Sequence, residues 1–216
     1  MAQMRSATNL IRKRELYEMS MRYLTKLRVY CDLFYFKTKT EDELKEDDLD
    51  HEESFMASSK LQMLYEELLS KINDVPYKRI IVFSCFVSTL SVLEKIINEL
   101  EPEIMTMQYV GSKTKKERDE IVAQFTKEDE TRPMILFASL GAGSVGLNLT
   151  PCSTIFMMDT SMNPFDELQA INRVHRLTQK NKVNIYKFYM KNMIEENILL
   201  THTQKIEQAK SNGLKM

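Results

Sequence analysis

Three stretches of the sequence combine residue types that hold phosphate groups, and the first is a glycine-rich segment at 139–148. It contains Gly141, Gly143 and Gly146, which are three of the chain's 5 glycines. Glycine adopts positive φ and lets the backbone approach a ligand closely, so N–H groups in such a loop can face phosphate oxygens. The same glycines suit a tight strand-to-helix connection without a ligand, and no GKS or GKT ending of a Walker A loop follows. Both interpretations stay open for this segment alone.

The second stretch, residues 169–179, carries two arginines in a helical pattern. Gln169, Arg173 and Arg176 are spaced four and three residues apart, which places them on one face of a predicted helix. Two guanidinium groups on one face suit a polyanion such as a triphosphate, because arginine binds phosphate bidentately and stabilises developing negative charge. An exposed basic helix without a ligand fits the spacing equally well. His175 lies off this face, and we expect it to pack or hydrogen-bond rather than to catalyse.

The third stretch, residues 111–118, follows a predicted strand and opens a predicted helix. Ser112 and Lys113 stand at its start, and three more cations follow. Hydroxyl, amide and ammonium groups at the amino end of a helix can bind the phosphate backbone of a nucleic acid. A solvated helix start explains the same residues, so a contact with nucleic acid is one of two open interpretations.

Short apolar runs that alternate with amphipathic stretches must position these groups. Helices are predicted for 9–36 (one or two), from 59 onward, and for 90–100, 115–125, 164–177 and 194–209, and strands for 80–83, 104–110, 134–138, 154–158 and 183–189. Strands that are apolar throughout and separated by helices predict an α/β fold with a parallel sheet covered on both faces. Ligands of such folds gather at the carboxyl ends of the strands.

The distribution of charge divides the chain. Its 30 Lys and Arg and 31 Asp and Glu give a formal net charge of −1, but residues 41–53 hold nine carboxylates and one lysine. That segment carries −8 and the remainder +7. We predict a helical amino-terminal segment over 1–36, an acidic linker over 37–58 and a carboxy-terminal domain over 59–216. The linker is either a mobile connector or an acidic segment that competes with nucleic acid for the basic surface.

Composition excludes several protein classes. With 43% hydrophobic and 28% charged residues, the chain is typical of globular proteins. The longest uncharged apolar run, 80–87, is far shorter than the roughly 20 residues of a membrane helix, and the amino terminus lacks a signal-peptide pattern. The three cysteines form no CxxC pair, so neither a disulfide framework nor a zinc site is predicted, and we expect a reducing compartment.

Taken in order, these segments resemble the motifs of the carboxy-terminal motor lobe of Swi/Snf-family helicase-like, DNA-dependent ATPases. The similar segments are Arg79–Ser84 (motif IV), Tyr109–Ser112, Ser139–Thr150 (motif V), Asp159–Pro164, Gln169–Gln179 (motif VI) and Val183–Ile198, and Leu24–Cys31 resembles the helix that commonly precedes this lobe. Ser58–Lys60 and Glu196–Leu199 are most similar to the subgroup of helicase-like transcription factor and transcription termination factor ATPases. Baculovirus global transactivators, viral members of the wider family, are also similar.

The resemblance implies a RecA-like fold, the second lobe of a helicase superfamily 2 motor that translocates on double-stranded DNA in chromatin remodelling or transcription regulation. It implies a nuclear location, in the host nucleus for a viral member. ATP and Mg²⁺ would be held mainly by an amino-terminal RecA-like lobe, in cis or in trans, and no metal ligand is implied here. The implied residues are Arg173 and Arg176 as catalytic arginine fingers, Gln169, Gly143, Gly146 and Asn148 at ATP, and Ser84, Ser112, Lys113, Ser139 and Asn163 at DNA.

The chain departs from the family pattern where Gly141 replaces a usual Lys or Arg and where Ser161 and Met162 replace paired tryptophans. It contains neither a GxxxxGK[ST] loop nor a DExH or DExD segment, which hold ATP phosphates and Mg²⁺ in such motors. We therefore predict half of a DNA-dependent ATPase, inactive in isolation. The alternative is a non-catalytic DNA- or protein-binding module, which loss of both finger arginines would indicate. A Rossmann dinucleotide enzyme would need a glycine fingerprint after the first strand, and none is present there.

Overall fold

The computed structural model describes residues 2–33, 51–127, 130–143 and 148–212, and only the backbone of 2–11, 51 and 143 among them. These residues form eight α-helices and five β-strands. The helices are α1 (Ala2–Leu33), α2 (His51–Ala57), α3 (Ser59–Ile72), α4 (Val87–Leu100), α5 (Lys115–Phe125), α6 (Leu140–Gly143), α7 (Pro164–Val174) and α8 (Ile194–Ser211). The strands are β1 (Arg79–Ser84), β2 (Met105–Tyr109), β3 (Met134–Ser139), β4 (Thr154–Met157) and β5 (Asn184–Lys187). None of these helices has the length and apolarity needed to cross a membrane.

The five described strands form one parallel sheet in the order β2-β3-β1-β4-β5. Parallel neighbours need long crossover connections, and the helices α4 to α7 lie in these connections. The central strand β1 is buried along its whole length, as are β3 and β4. Burial on both faces explains why these strands show no polar alternation in the sequence. The predicted α/β fold, a parallel sheet flanked by helices, is therefore confirmed.

Side chains of β1 alternate between two hydrophobic layers, one on each face of the sheet. Ile80 and Val82 belong to the first layer, whereas Ile81 and Phe83 belong to the second. This alternation follows from the two-residue period of a strand. From the helices, the first layer receives Leu61, Leu64 and Leu68 of α3 and Leu90, Leu93 and Ile97 of α4, and the second receives Phe125, Leu140, Ala170 and Val174.

Side-chain caps fix the starts of α3 and α5. Ser58 Oγ accepts a hydrogen bond from the N–H of Leu61 at 3.2 Å. At α5, Thr114 and Glu117 form a capping box: Thr114 Oγ1 accepts from the N–H of Glu117 at 3.3 Å, and the Glu117 carboxylate accepts from the N–H of Thr114 at 2.7 Å. The hydrogen bonds from Thr114 lower the pKa of the Glu117 carboxyl. The predicted beginning of each helix is thus set by a local polar group.

A buried charge cluster joins α1, α3 and α8. Lys60 Nζ donates to Asp32 at 2.7 Å and to both carboxylate oxygens of Glu195 at 2.7 and 2.9 Å. Burial raises the pKa of Asp32 well above its ordinary value, although the attraction of Lys60 opposes the rise. Burial alone would lower the pKa of Lys60, but the two carboxylates outweigh it and raise that pKa. One ammonium group therefore forms ion pairs with two carboxylates, and the cluster holds α1 and α8 against α3.

Helix α2 lies in the part of the sequence that predicted an acidic linker. Phe55 of this helix packs edge to face on Tyr65 of α3, with ring centroids 5.6 Å apart, and Ser54 is buried. Residues 37–50, which are most of the predicted linker, lie outside the described residues. The predicted limits 1–36, 37–58 and 59–216 stay predictions.

Candidate nucleotide and DNA interfaces

The residues predicted to contact DNA lie at the carboxyl edge of the sheet. Ser84 and Ser139 are paired final residues of β1 and β3. Ser112 and Lys113 follow the end of β2, and Asn163 follows the end of β4. Because parallel strands end at the same edge, the fold brings these five residues from four separate segments to one side of the domain.

Their exposure differs along this edge. Ser112 and Asn163 are exposed, Lys113 is half-buried and Ser139 is buried. Burial raises the pKa of Glu94 on α4, and the positive charge of Lys113 opposes that rise, so the two side chains are electrostatic neighbours. The edge therefore presents an ammonium group, a hydroxyl and an amide to solvent.

Ser84 is fully buried, and its hydroxyl serves the fold. Its Oγ donates to the carboxylate of Asp159, just after β4, and accepts from the N–H of Phe86 at 2.9 Å. The N–H of Cys85 donates to the same carboxylate at 2.9 Å. A buried carboxylate needs such donors to replace water. The predicted contact between the Ser84 hydroxyl and DNA does not fit this geometry, and Ser84 positions Asp159 instead.

The helix that was predicted to carry both arginines is shorter than their spacing suggested. Helix α7 ends at Val174, where the sequence predicted three more residues of helix. His175 has φ −86° and ψ 82°, outside the helical region, and the N–H of Arg176 donates to Val174 O at 3.1 Å. Gln169 and Arg173 lie on α7, the former exposed and the latter half-buried. Arg176 lies beyond the helix, so the prediction of a single helical face for all three residues was wrong.

The side-chain amide of Gln179 explains the early end of α7. Its Nε2 donates to Thr150 O at 2.9 Å and Cys152 O at 2.8 Å, and its Oε1 accepts from the N–H of Asn181 at 2.9 Å. The backbone N–H of Gln179 donates to Arg176 O at 2.9 Å. These bonds form only if the chain turns after α7 toward the segment that precedes β4. Sequence reasoning assigned Gln179 no role, since no local pattern identifies carbonyl partners 27 and 29 residues away.

An open cleft of about 680 Å³ lies beside this turn. Arg176 is half-buried at the cleft, whereas the next residue, Leu177, is fully exposed. The N–H of Leu149 donates to Arg173 O at 3.1 Å, which ties the segment after α6 to the end of α7. The lining residues are Asn148, His175, Arg176, Leu177 and Thr178.

The residues predicted to contact ATP are only partly brought together. Asn148 is exposed and lines the cleft with Arg176. Gln169 lies on α7, and Gly143 is the last residue of α6. Gly146 lies outside the described residues. Of the four residues predicted to contact ATP, Asn148 therefore lines the cleft, together with the predicted finger Arg176.

The chemistry of the cleft suits an anion. Its described lining includes one guanidinium and one amide but no carboxylate. Mg²⁺ is usually bound through carboxylates together with phosphate oxygens, so these residues fit the phosphate groups of a nucleotide and not its metal ion. Across the described residues, no group of three or more His, Cys, Asp or Glu is arranged to hold a metal ion.

Helix α7 connects the two sets of residues. Asn163 caps its amino end, where Oδ1 accepts from the N–H of Phe165 at 3.3 Å, and Arg173 lies in its last turn. An 11-residue helix is about 16 Å long. One helix therefore spans the distance between the carboxyl edge of the sheet and the arginine cleft.

Comparisons with known proteins agree with this arrangement. The family described as "Helicase conserved C-terminal domain" matches residues 59–178. DNA repair protein RAD5 of Saccharomyces cerevisiae is 37% identical over 150 residues, covering 68% of this chain and 13% of RAD5. ATP-dependent helicase fft1 of Schizosaccharomyces pombe is 35% identical over 144 residues, covering 67% of this chain and 14% of fft1. A putative SWI/SNF-related regulator of chromatin, subfamily A member 3-like 1, of Arabidopsis thaliana is 33% identical over 155 residues. The match covers 72% of this chain and 17% of that protein.

A solved structure is also similar. The crystal structure of the C-terminal part of the Fun30 ATPase domain has a TM-score of 0.60 and 30% sequence identity, and the match covers 68% of this chain and 46% of that chain. The chain thus spans 13 to 17% of the length of the three curated relatives named above.

Proposed function

The chain belongs to the helicase conserved C-terminal domain family and is a carboxy-terminal helicase lobe of the Swi/Snf type, and from this premise we propose that it supplies arginine fingers and DNA-backbone contacts to an ATP-dependent DNA translocase. The observation that carries this proposal is the position of α7, which has the arginine cleft at one end and the carboxyl edge of the sheet at the other. A rigid element that links the two sites can transmit a change at the nucleotide to the DNA contact.

At the nucleotide, the role of this lobe is to supply positive charge. ATP supplies the phosphoryl group to be transferred, and together with Mg²⁺ it would be held mainly by an amino-terminal lobe. Arg176, at the cleft, and Arg173, in the last turn of α7, stabilise the charge that develops on the phosphoryl oxygens. The amide of Asn148 adds a hydrogen-bond donor, and Gln179 holds the turn that presents Arg176.

At the DNA, the carboxyl edge binds phosphates. Lys113, Ser112 and Asn163 contact the backbone of a duplex, and such contacts fix position without reading sequence. The names of the relatives, a DNA repair protein and a regulator of chromatin, support DNA as the partner and the nucleus as the location.

The catalytic role is favoured over a non-catalytic module because Arg173 and Arg176 are both retained, and because Arg176 lines a cleft of suitable chemistry. The sequence lacks the GxxxxGK[ST] and DExH segments that hold ATP and Mg²⁺. An amino-terminal lobe, in cis or in trans, therefore has to complete the site.

The two-lobe requirement is tested by measuring ATP hydrolysis with and without duplex DNA. We expect no turnover by the 216-residue chain, and DNA-stimulated turnover when it is joined to its natural amino-terminal lobe. That lobe alone is the control, and it should turn over far more slowly than the joined protein. Appreciable hydrolysis by the pure isolated chain would contradict the proposal, as would a joined protein that DNA does not stimulate.

Removal of the Lys113 ammonium should weaken DNA binding through loss of one phosphate contact. For Lys113→Ala, we expect lower affinity for duplexes of any sequence, and a plot of log affinity against log salt whose slope is shallower by about one unit. Fluorescence anisotropy over a salt series measures both quantities. Lys182→Ala removes an exposed lysine before β5, at the opposite edge of the sheet, and serves as the matched control. Equal losses for the two variants would place the DNA elsewhere.

A further inference from the structure

Three consecutive carbonyl groups in the loop between β4 and α7 accept hydrogen bonds from the two outer helices. We call residues 159–163 the β4–α7 loop. Arg28 Nη2 of α1 donates to Thr160 O at 2.8 Å. From α8, His202 Nε2 donates to Ser161 O at 2.7 Å, and Lys205 Nζ donates to Met162 O at 3.0 Å. Each carbonyl of this run therefore has its own side-chain donor.

Other contacts fix both ends of the same loop. At its start, the Asp159 carboxylate lies 3.5 Å from Arg28 Nη2 and accepts the bonds from Ser84 and Cys85 described above. In its middle, the N–H of Ser161 donates to the Glu167 carboxylate at 2.9 Å. At its end, Asn163 caps α7. The loop is held at every residue although it contains no regular secondary structure.

Two of the three donors are buried in the fold. Arg28 is 6% exposed and His202 is 5% exposed, so both side chains are fixed by packing. The guanidinium of Arg28 also lies 4.9 Å from the ring centroid of Phe86. Hydrogen bonds from charged donors are stronger than those between neutral groups, and here Arg28 and Lys205 are charged. All three donors lie outside the family match at residues 59–178.

We propose that Arg28, His202 and Lys205 are positioning residues that hold the β4–α7 loop in the conformation in which Asn163 meets the DNA backbone. We call them the carbonyl clamp. The inference rests on the proposed function, because it assigns a purpose to the loop in that function. It extends the machinery of the DNA edge to α1 and α8, which lie on either side of the matched family segment. None of the three residues itself contacts the nucleotide in this proposal.

Loop mobility tests the clamp without DNA. In His202→Leu, loss of the bond to Ser161 should speed amide hydrogen exchange within residues 160–163 by roughly 3- to 10-fold. In His202→Gln, the side-chain amide can donate to the same carbonyl, so exchange should return to within about 2-fold of the parent chain. If His202 only supported the core, His202→Leu would speed exchange throughout the second hydrophobic layer, and His202→Gln would not restore protection. Uniform acceleration, or failure of glutamine to restore protection, overturns the proposal.

Replacement of Lys205 is a second test of loop exchange, because this side chain is exposed and its loss does not disturb the core. Lys205→Met should speed exchange within 160–163 by roughly 3- to 10-fold. Lys210→Met removes an exposed charge from the same helix and should leave loop exchange unchanged. If both variants behave alike, the bond to Met162 does not position the loop.

DNA affinity tests the purpose of the clamp through a double-mutant cycle. His202→Leu should weaken duplex binding roughly 3- to 10-fold in the parent chain but by less than about 2-fold in Asn163→Ala, because the clamp acts through Asn163. Equal effects in the two backgrounds overturn the link between the clamp and DNA. Failure of the parent chain to bind DNA at all would instead contradict the proposed function, while the exchange experiment would still report on the clamp.

Discussion

Alanine in place of Arg173 or Arg176 is expected to lower DNA-stimulated ATP hydrolysis by the joined two-lobe protein by about 10³-fold or more. An arginine finger stabilises charge that develops in phosphoryl transfer, and the best-studied fingers contribute about 10³ to 10⁵ in rate. Arg176 is the more direct candidate, because it lies at the cleft beyond the end of α7. Steady-state turnover at saturating DNA, with ATP varied, measures the effect on kcat separately from that on KM.

Two further variants test whether the loss of rate is specific to the finger arginines. Arg176→Lys keeps the positive charge but loses the paired N–H donors, so we expect it to recover only part of the rate. Arg22→Ala removes an exposed arginine from α1, far along the sequence from the cleft, and should leave turnover unchanged. A joined protein in which both finger positions tolerate alanine without loss of rate would disprove the assignment, whatever its affinity for DNA.

Replacement of Lys60 by methionine is expected to lower the free energy of unfolding by about 3 to 5 kcal/mol. Loss of one partner from a buried ion pair leaves the other charge without compensation, and here two carboxylates, Asp32 and Glu195, would be left. Urea unfolding followed by circular dichroism measures the change. Lys71→Met is the matched control on the same helix. Lys71 forms a partly exposed pair with Glu67 and lies 5.1 Å from the ring centroid of Tyr186, and exposed contacts of these kinds contribute little.

The loss caused by Lys60→Met should depend on pH. Burial already holds the pKa of Asp32 above its ordinary value of 3.8, so the folded state keeps this proton to higher pH than the unfolded state does. A group shifted in this direction favours folding most at low pH and loses that contribution as pH rises through its folded pKa. Without Lys60 the pKa of Asp32 rises further, so the variant should be less destabilised at about pH 5 than at about pH 8. A loss that grows as pH falls would contradict the buried-cluster explanation.

Features of the fold that depend on local patterns could be predicted from the sequence. The apolar run at 80–83 predicted a buried strand, which the structure places at the centre of the sheet. Helices were predicted to begin near residues 59 and 115, and Ser58 and Thr114 cap them there. The carboxyl edge was predicted to gather ligand-binding residues because parallel strands end together. These inferences need only the periods of strands and helices and the chemistry of helix ends.

Features that depend on distant partners could not be predicted. Helix α7 was predicted to continue because residues 175–177 fit a helical pattern, but Gln179 reaches carbonyls before β4 and turns the chain away. Ser84 resembled a DNA contact, but its hydroxyl is bound by Asp159, 75 residues away. Lys60 and Glu195 are separated by 135 residues, and Arg28 and Thr160 by 132. No local pattern encodes contacts at such separations.

The buried cluster also determines when the domain can finish folding during synthesis. A nascent chain leaves the ribosome from its amino end, so Asp32 and Lys60 emerge well before Glu195, which lies 135 residues beyond Lys60. At roughly 5 to 20 residues per second, that delay is on the order of ten seconds. Until Glu195 emerges it cannot pair with Lys60, and the β4–α7 loop, once made, still lacks His202 and Lys205. Helix α8 is the last described element to be synthesised, and its docking completes both the charge cluster and the loop at the DNA edge.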